Sequence, residues 1–143
     1  MAAVTRRADA VWKGNLLEGS GTFNVLSGAI ANLPVTWAAR TAASDSKTSP
    51  EELVAAAHAS CYAMALSGVL ARAGHVAEQL AVSAVVTFDP PKVTKSALTV
   101  RGKIPGIDQA AFAEFAKQGE QGCPISNALR GNVEITVEAT LER

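Results

Sequence analysis

The clearest pattern in the chain lies at its end. Val133, Ile135, Val137, Ala139 and Leu141 alternate without a break with Glu134, Thr136, Glu138, Thr140 and Glu142. A period of two sets the first group on a buried face and the second in water, which predicts a strand of an antiparallel sheet packed on helices. Two earlier segments read the same way. Leu80, Val82, Ala84, Val86 and Phe88 share one face, and Leu98, Val100 and Ile104 share another, opposite Thr99, Arg101 and Lys103. Pro90 and Pro91 fall in the connection between them. Near the start, short strands are expected between the glycine turns at Gly14, Gly19–Gly21 and Gly28.

Between these strand groups the period changes to that of a helix. Ser49 suits an N-cap, Pro50 the first helical position, and Glu52 the return arm of a capping box. Apolar residues run on to Ala73, and Gly74 is a natural stop, giving a helix of about 36 Å. A second helix is predicted from near Asp108 to around Gly119, with Ile107 and Phe112 placed as a hydrophobic staple and Phe112, Phe115 and Ala116 as its apolar stripe. The fold class is therefore α+β. One difficulty follows: a single sheet would struggle to surround a helix that is apolar on every side, which points to cover from a second subunit.

Length and charge narrow the function classes. The 143 residues read as one domain, residues 1–143, and the 48% hydrophobic content is that of a globular protein. Thirteen basic residues balance thirteen acidic ones with no basic cluster, so nothing points to nucleic acid or an anionic membrane surface. Leu53 to Ala71 holds no charged residue over 19 positions, the length of a short membrane span. Its alanines, His58, Ser60, Cys61, Ser67 and Gly68 suit a buried helix of a soluble protein better. The N-terminus lacks the apolar run of a signal peptide, and a cytoplasmic location is expected, where paired thiols rest reduced.

The chemistry rests on two cysteines in different settings. Cys123 precedes Pro124 and can cap a short helix running to about Leu129, a position that favours a thiolate. Cys61 lies deep within the long helix and gains nothing from its dipole, so a reactive Cys61 needs a cation from elsewhere. Arg40 is the candidate, and Glu51 is the carboxylate free to hold it once Glu52 is taken by the cap. Two inert core thiols are the plain alternative. A zinc site of His58, Cys61, His75 and Cys123 can be written down, but its spacing matches no structural zinc pattern, and His58 reads more readily as a satisfied core residue. Neither a phosphate-cradling glycine loop nor a serine-nucleophile elbow is present.

Taken together, several segments resemble the OsmC/Ohr family of thiol peroxidases, and more closely its OsmC branch. They are Ala10–Gly14, Gly19–Thr22, Arg40, Thr48–Leu53, Ala56–Cys61, Pro105–Asp108 and Gly122–Ser126. The resemblance covers nearly the whole chain. It implies antiparallel sheets packed around long central helices in an intertwined homodimer, with active sites at the subunit interface. It also implies roles: Cys61 attacks the peroxide, Arg40 stabilises its thiolate and orients the substrate, Glu51 holds Arg40, and Cys123 resolves the oxidised Cys61 as a disulfide.

The expected activity is reduction of organic hydroperoxides, alkyl and lipid ones, and more weakly hydrogen peroxide, to alcohols, without metal, haem or flavin. An external dithiol, of dihydrolipoyl type by the resemblance, would restore the enzyme. An apolar pocket is expected around the site, with Ile125 and Phe23 among its lining. The competing expectation is a non-enzymatic dimeric ligand-binding protein or thiol sensor on the same scaffold.

Overall fold

The computed structural model of the protein describes residues 1–143. The chain divides into two compact units, Met1–Leu53 and Val54–Arg143, with the boundary in the first turns of the longest helix.

The first unit is built on a three-stranded antiparallel sheet, β1 (Ala8–Lys13), β2 (Ser20–Val25) and β3 (Leu33–Val35), in that order. Gly14 and Gly19 fall between β1 and β2 and Gly28 between β2 and β3, whereas Gly21, expected in a turn, lies within β2. Gly21 is required for a different reason: a Cβ there would come within 2.8 Å of both the Trp12 ring and the Val11 carbonyl across the strand pair. β1 is exposed along its length, Val11 and Trp12 included. A short helix, α1 (Trp37–Thr41), follows, capped by the Thr36 hydroxyl, which accepts the Ala39 N–H at 3.1 Å. It carries Arg40.

The long helix α2 (Pro50–Arg72) starts and stops where the residues predict. Ser49 Oγ accepts the Glu52 N–H at 3.1 Å, while the Glu52 carboxylate takes the Thr48 hydroxyl at 3.0 Å. At the other end Gly74 turns left-handed at φ 83°. This lets the His75 N–H reach the Leu70 carbonyl at 2.9 Å and the Gly74 N–H reach that of Ala71 at 3.0 Å. By length and composition α2 could cross a membrane. Tyr62, Leu66 and Leu70 nevertheless lie fully buried at the centre of the second unit's core, so α2 is a core helix.

The second sheet holds β4 (Gln79–Asp89), β5 (Lys92–Lys103) and β6 (Glu134–Leu141). β4 and β5 pair antiparallel, and Leu80, Val82, Ala84, Val86 and Phe88 share the inward side as predicted. β6 departs from expectation, because it runs parallel to β5 rather than antiparallel. The alternation of Val133 to Leu141 reports which face is buried, and is silent about strand direction. Direction is set by the connection: α3 (Gln109–Gln121) and α4 (Pro124–Leu129) separate the strands, and a crossover of that length returns the chain in the same sense.

α3 begins at Asp108, whose carboxylate accepts the Ala111 N–H at 2.8 Å, and extends slightly past the predicted end. It is tied to β6 through Gln109, whose side chain bonds Ala139 and Leu141 at 2.9 and 2.7 Å. Phe112 and Ala116 from its apolar stripe join Leu98, Val100, Ile104 and Cys123 around α2. Each such large side chain contributes about 1.5–3 kcal/mol by leaving water. Gly119 permits the close approach of α3, since a Cβ there would lie 3.1 Å from Leu66 Cα.

The expectation of all-round burial for α2 is not met within one chain. Ala56, Ala57, Ser60, Met64, Ser67 and Ala71 stay exposed, Met64 at 69%.

Candidate active site

The four residues singled out by the sequence form two pairs, one in each unit. Cys61 stands at the middle of α2, partly exposed, and Cys123 is the buried N-cap of α4. Both thiols are free; Cys61 packs against the buried cluster that includes Cys123, and the two are near enough for Cys123 to act on the ionisation of Cys61. Pro124 at the first helical position and the Ser126 N–H, which donates to Cys123 Sγ at 3.5 Å, fix this cap.

Burial pushes the Cys61 thiol above its ordinary value. The Ile125 backbone amide works against that shift, and the neighbouring Cys123 adds to it. The Ile125 main chain is thus near enough to favour the Cys61 thiolate, where sequence reasoning places Ile125 beside the site only as a pocket-lining side chain.

In the first unit, Arg40 and Glu51 are paired. Arg40 Nε lies 3.0 and 3.2 Å from the two Glu51 carboxylate oxygens, and Nη2 lies 2.7 Å from Oε1. This two-pronged geometry fixes the plane of the guanidinium. The Glu51 side chain is 9% exposed and that of Arg40 31%, so the pair is largely withdrawn from solvent. Trp37, one turn earlier on α1, lies under the guanidinium at 5.7 Å.

Beside Arg40 opens a cavity of about 310 Å³, lined by Trp12, Leu16, Val35, Thr36, Trp37 and Pro50. It is an apolar wall with one cation on it. Phe23, expected in such a lining, is instead buried at 8% exposure. The sequence signal for the actual lining was present in Trp12, on a strand with no buried face, and in Trp37, three residues before Arg40.

The histidines are engaged elsewhere. His58 is fully buried between two serines, and the His75 ring packs on Phe115 at 5.8 Å. No three of the His, Cys, Asp and Glu side chains gather as a metal site would require.

A family model described as OsmC-like protein matches residues 43–138. The chain belongs to the OsmC family. Peroxiredoxin OsmC of Escherichia coli is 34% identical over 143 residues, spanning 97% of this chain and 98% of that protein. An organic hydroperoxide resistance protein of Xanthomonas axonopodis pv. citri is 31% identical over 97 residues, 63% of this chain and 65% of its own length. The crystal structure of an organic hydroperoxide resistance protein OsmC from Legionella pneumophila superposes with a TM-score of 0.76 at 25% identity, covering 98% of this chain and 99% of that one. The α+β OsmC/Ohr fold expected from the residues is the fold observed.

Proposed function

We propose that this OsmC-family chain is a thiol peroxidase that reduces organic hydroperoxides in oxidative stress defence, with Cys61 as the attacking residue and Cys123 as the resolving one. The observation that carries this reading is that two free thiols share one core, Cys61 packed against the buried cluster that includes Cys123. Relatives named peroxiredoxin and organic hydroperoxide resistance protein support the activity.

The chemistry follows from the groups present. Cys61 thiolate attacks the terminal oxygen of the hydroperoxide; the S–O bond forms, the O–O bond breaks, and the alkoxide leaves as an alcohol after taking a proton. Cys61 is left as a sulfenic acid. Cys123 thiolate then attacks the Cys61 sulfur, the S–O bond breaks, and hydroxide departs as water with one more proton. An external dithiol reduces the disulfide in two exchange steps and is itself oxidised to a disulfide. No metal or organic cofactor has a part in these steps.

The role of cation for the Cys61 thiolate falls in this reading to Arg40, as the family resemblance implies, and Glu51 fixes its guanidinium. The apolar cavity beside Arg40 supports a preference for alkyl or aryl hydroperoxides over hydrogen peroxide, whose small polar body gains nothing from two tryptophans. With excess dithiol, cumene hydroperoxide should be consumed faster than hydrogen peroxide at equal concentration. Equal rates would remove the organic preference. No consumption of either would leave a binding protein or thiol sensor on this fold.

The working unit in this reading is a homodimer in the cytoplasm. The exposed stripe of α2 around Met64 and the uncovered Val11 and Trp12 of β1 are the apolar surfaces it would cover. Light scattering should give about twice the chain mass of 14.7 kDa, and a stable monomer would count against shared active sites.

A further inference from the structure

His58 has no part in the chemistry above, yet both of its ring nitrogens are bound. Nδ1 lies 2.6 Å from Ser96 Oγ on β5, and Nε2 lies 2.7 Å from Ser126 Oγ on α4. All three residues are fully buried. A neutral imidazole has one N–H and one lone pair, so one serine accepts from the ring and the other donates to it. Burial holds His58 below its ordinary pKa while Glu120 opposes that shift, which keeps the ring neutral and this pattern intact.

Ser126 is the joint of the arrangement. Its backbone N–H donates to Cys123 Sγ, and its hydroxyl meets a ring rooted one turn before Cys61 on α2. The next residue back, Ile125, supplies the amide that faces Cys61. The first turn of α4 thus carries both groups that meet the Cys61 sulfur, and His58 fastens that turn to the helix bearing Cys61.

We propose that His58, acting through Ser126, is a positioning residue for disulfide formation: it holds Cys123 where it captures the Cys61 sulfenic acid before a second hydroperoxide does. The inference rests on the thiol-peroxidase reading. The sulfenic acid has two competing fates. In one, Cys123 forms the S–S bond and water leaves. In the other, a further hydroperoxide transfers an oxygen, giving Cys61 sulfinic acid and a second alcohol. The first fate depends on the effective concentration of Cys123 at the Cys61 sulfur, and ångström-scale misplacement lowers such intramolecular rates by roughly 10- to 100-fold. Cys123 takes no part in the attack on peroxide, so the partition between disulfide and sulfinic acid, which follows that attack, reports the placement of Cys123.

The test is a single turnover without reductant. The reduced protein is mixed with cumene hydroperoxide, quenched over time, and resolved by intact mass into thiol, trapped sulfenic acid, disulfide and sulfinic acid. In Ser126→Ala and His58→Gln the step from sulfenic acid to disulfide should run on the order of tenfold more slowly than in the wild type, a ratio read separately from any change in the loss of free Cys61 that a loosened Ile125 amide brings. Sulfinic acid should then accumulate at peroxide levels that leave the wild type as disulfide. Ile104→Ala, a core truncation beside Gly102 and Phe112, serves as the destabilised control and should partition like the wild type. Ser126→Ala removes a single hydroxyl and carries the test should His58→Gln not fold. Disulfide formation at the wild-type rate in Ser126→Ala, or an equal shift in Ile104→Ala, overturns the inference. A wild type that forms neither sulfenic acid nor disulfide overturns the peroxidase reading itself, and this inference falls with it.

Discussion

Cys61→Ser should reduce consumption of cumene hydroperoxide to the rate of dithiol alone, a loss of several orders of magnitude, while Cys123→Ser should keep the first turnover and lose the cycle. The asymmetry comes from the order of bond changes. A serine hydroxyl at position 61 is hardly ionised near neutral pH and is a poor nucleophile toward peroxide oxygen, so no S–O intermediate forms and nothing later in the sequence can occur. Removing the Cys123 sulfur leaves the attack intact but strands Cys61 as a sulfenic acid, which excess peroxide drives on to the sulfinic acid. With a small dithiol present, Cys123→Ser should turn over slowly and decay during the assay. Neither substitution should cost much stability, because serine is close to cysteine in volume, though the buried Cys123 site must accommodate a hydroxyl. Thermal unfolding of both variants checks this. Equal damage from the two substitutions would count against the assigned order, as would a Cys61→Ser protein with wild-type turnover. The reverse pattern would transfer first attack to Cys123, the thiol that stands at a helix N-cap.

The same two cysteines show how far sequence reasoning carried. The cap at Cys123, the start of α2 at Pro50 and the inward face of β4 were legible because each depends on neighbours within a few positions. Glu51 was legible as the candidate carboxylate for Arg40, since a charge entering an apolar segment demands an opposite one, but that the two pair in the resting protein was not. The parallel pairing of β6 was not, because alternation encodes burial and carries no direction. Nor was the His58 network: Ser96 and Ser126 stand 38 and 68 positions from His58, and isolated serines give no local signal of what they will bind. The exposure of α2 belongs to a third kind. Its apolar surround was read correctly as needing cover, but the single chain holds only the Tyr62, Leu66 and Leu70 side of that packing.

Arg40→Ala should slow peroxide consumption by two to three orders of magnitude, of the order seen when a single transition-state stabilising group is removed, and should raise the pH at which Cys61 reacts. Burial by itself raises the Cys61 thiol and the Ile125 amide offsets only part of this, so a half-buried Cys61 without a cation stays protonated at neutral pH. The thiolate and the developing alkoxide both gain from a guanidinium in a low-dielectric pocket. Alkylation by iodoacetamide across pH reads the first effect without any peroxide present, using Cys123→Ser as background so that one thiol reports. In that background burial holds the Cys61 midpoint up, and adding Arg40→Ala should move it further up if Arg40 is the cation that favours the thiolate. Stability should move as well, since the substitution leaves the Glu51 carboxylate, 9% exposed, without its cation; the cost is about 1–3 kcal/mol. Adding Glu51→Gln to Arg40→Ala removes that stranded charge. The double variant should therefore recover stability while its peroxide rate and its alkylation midpoint stay with Arg40→Ala. Recovery of activity alongside stability would mean that Arg40 serves the fold, and that Cys61 takes its reactivity from another group.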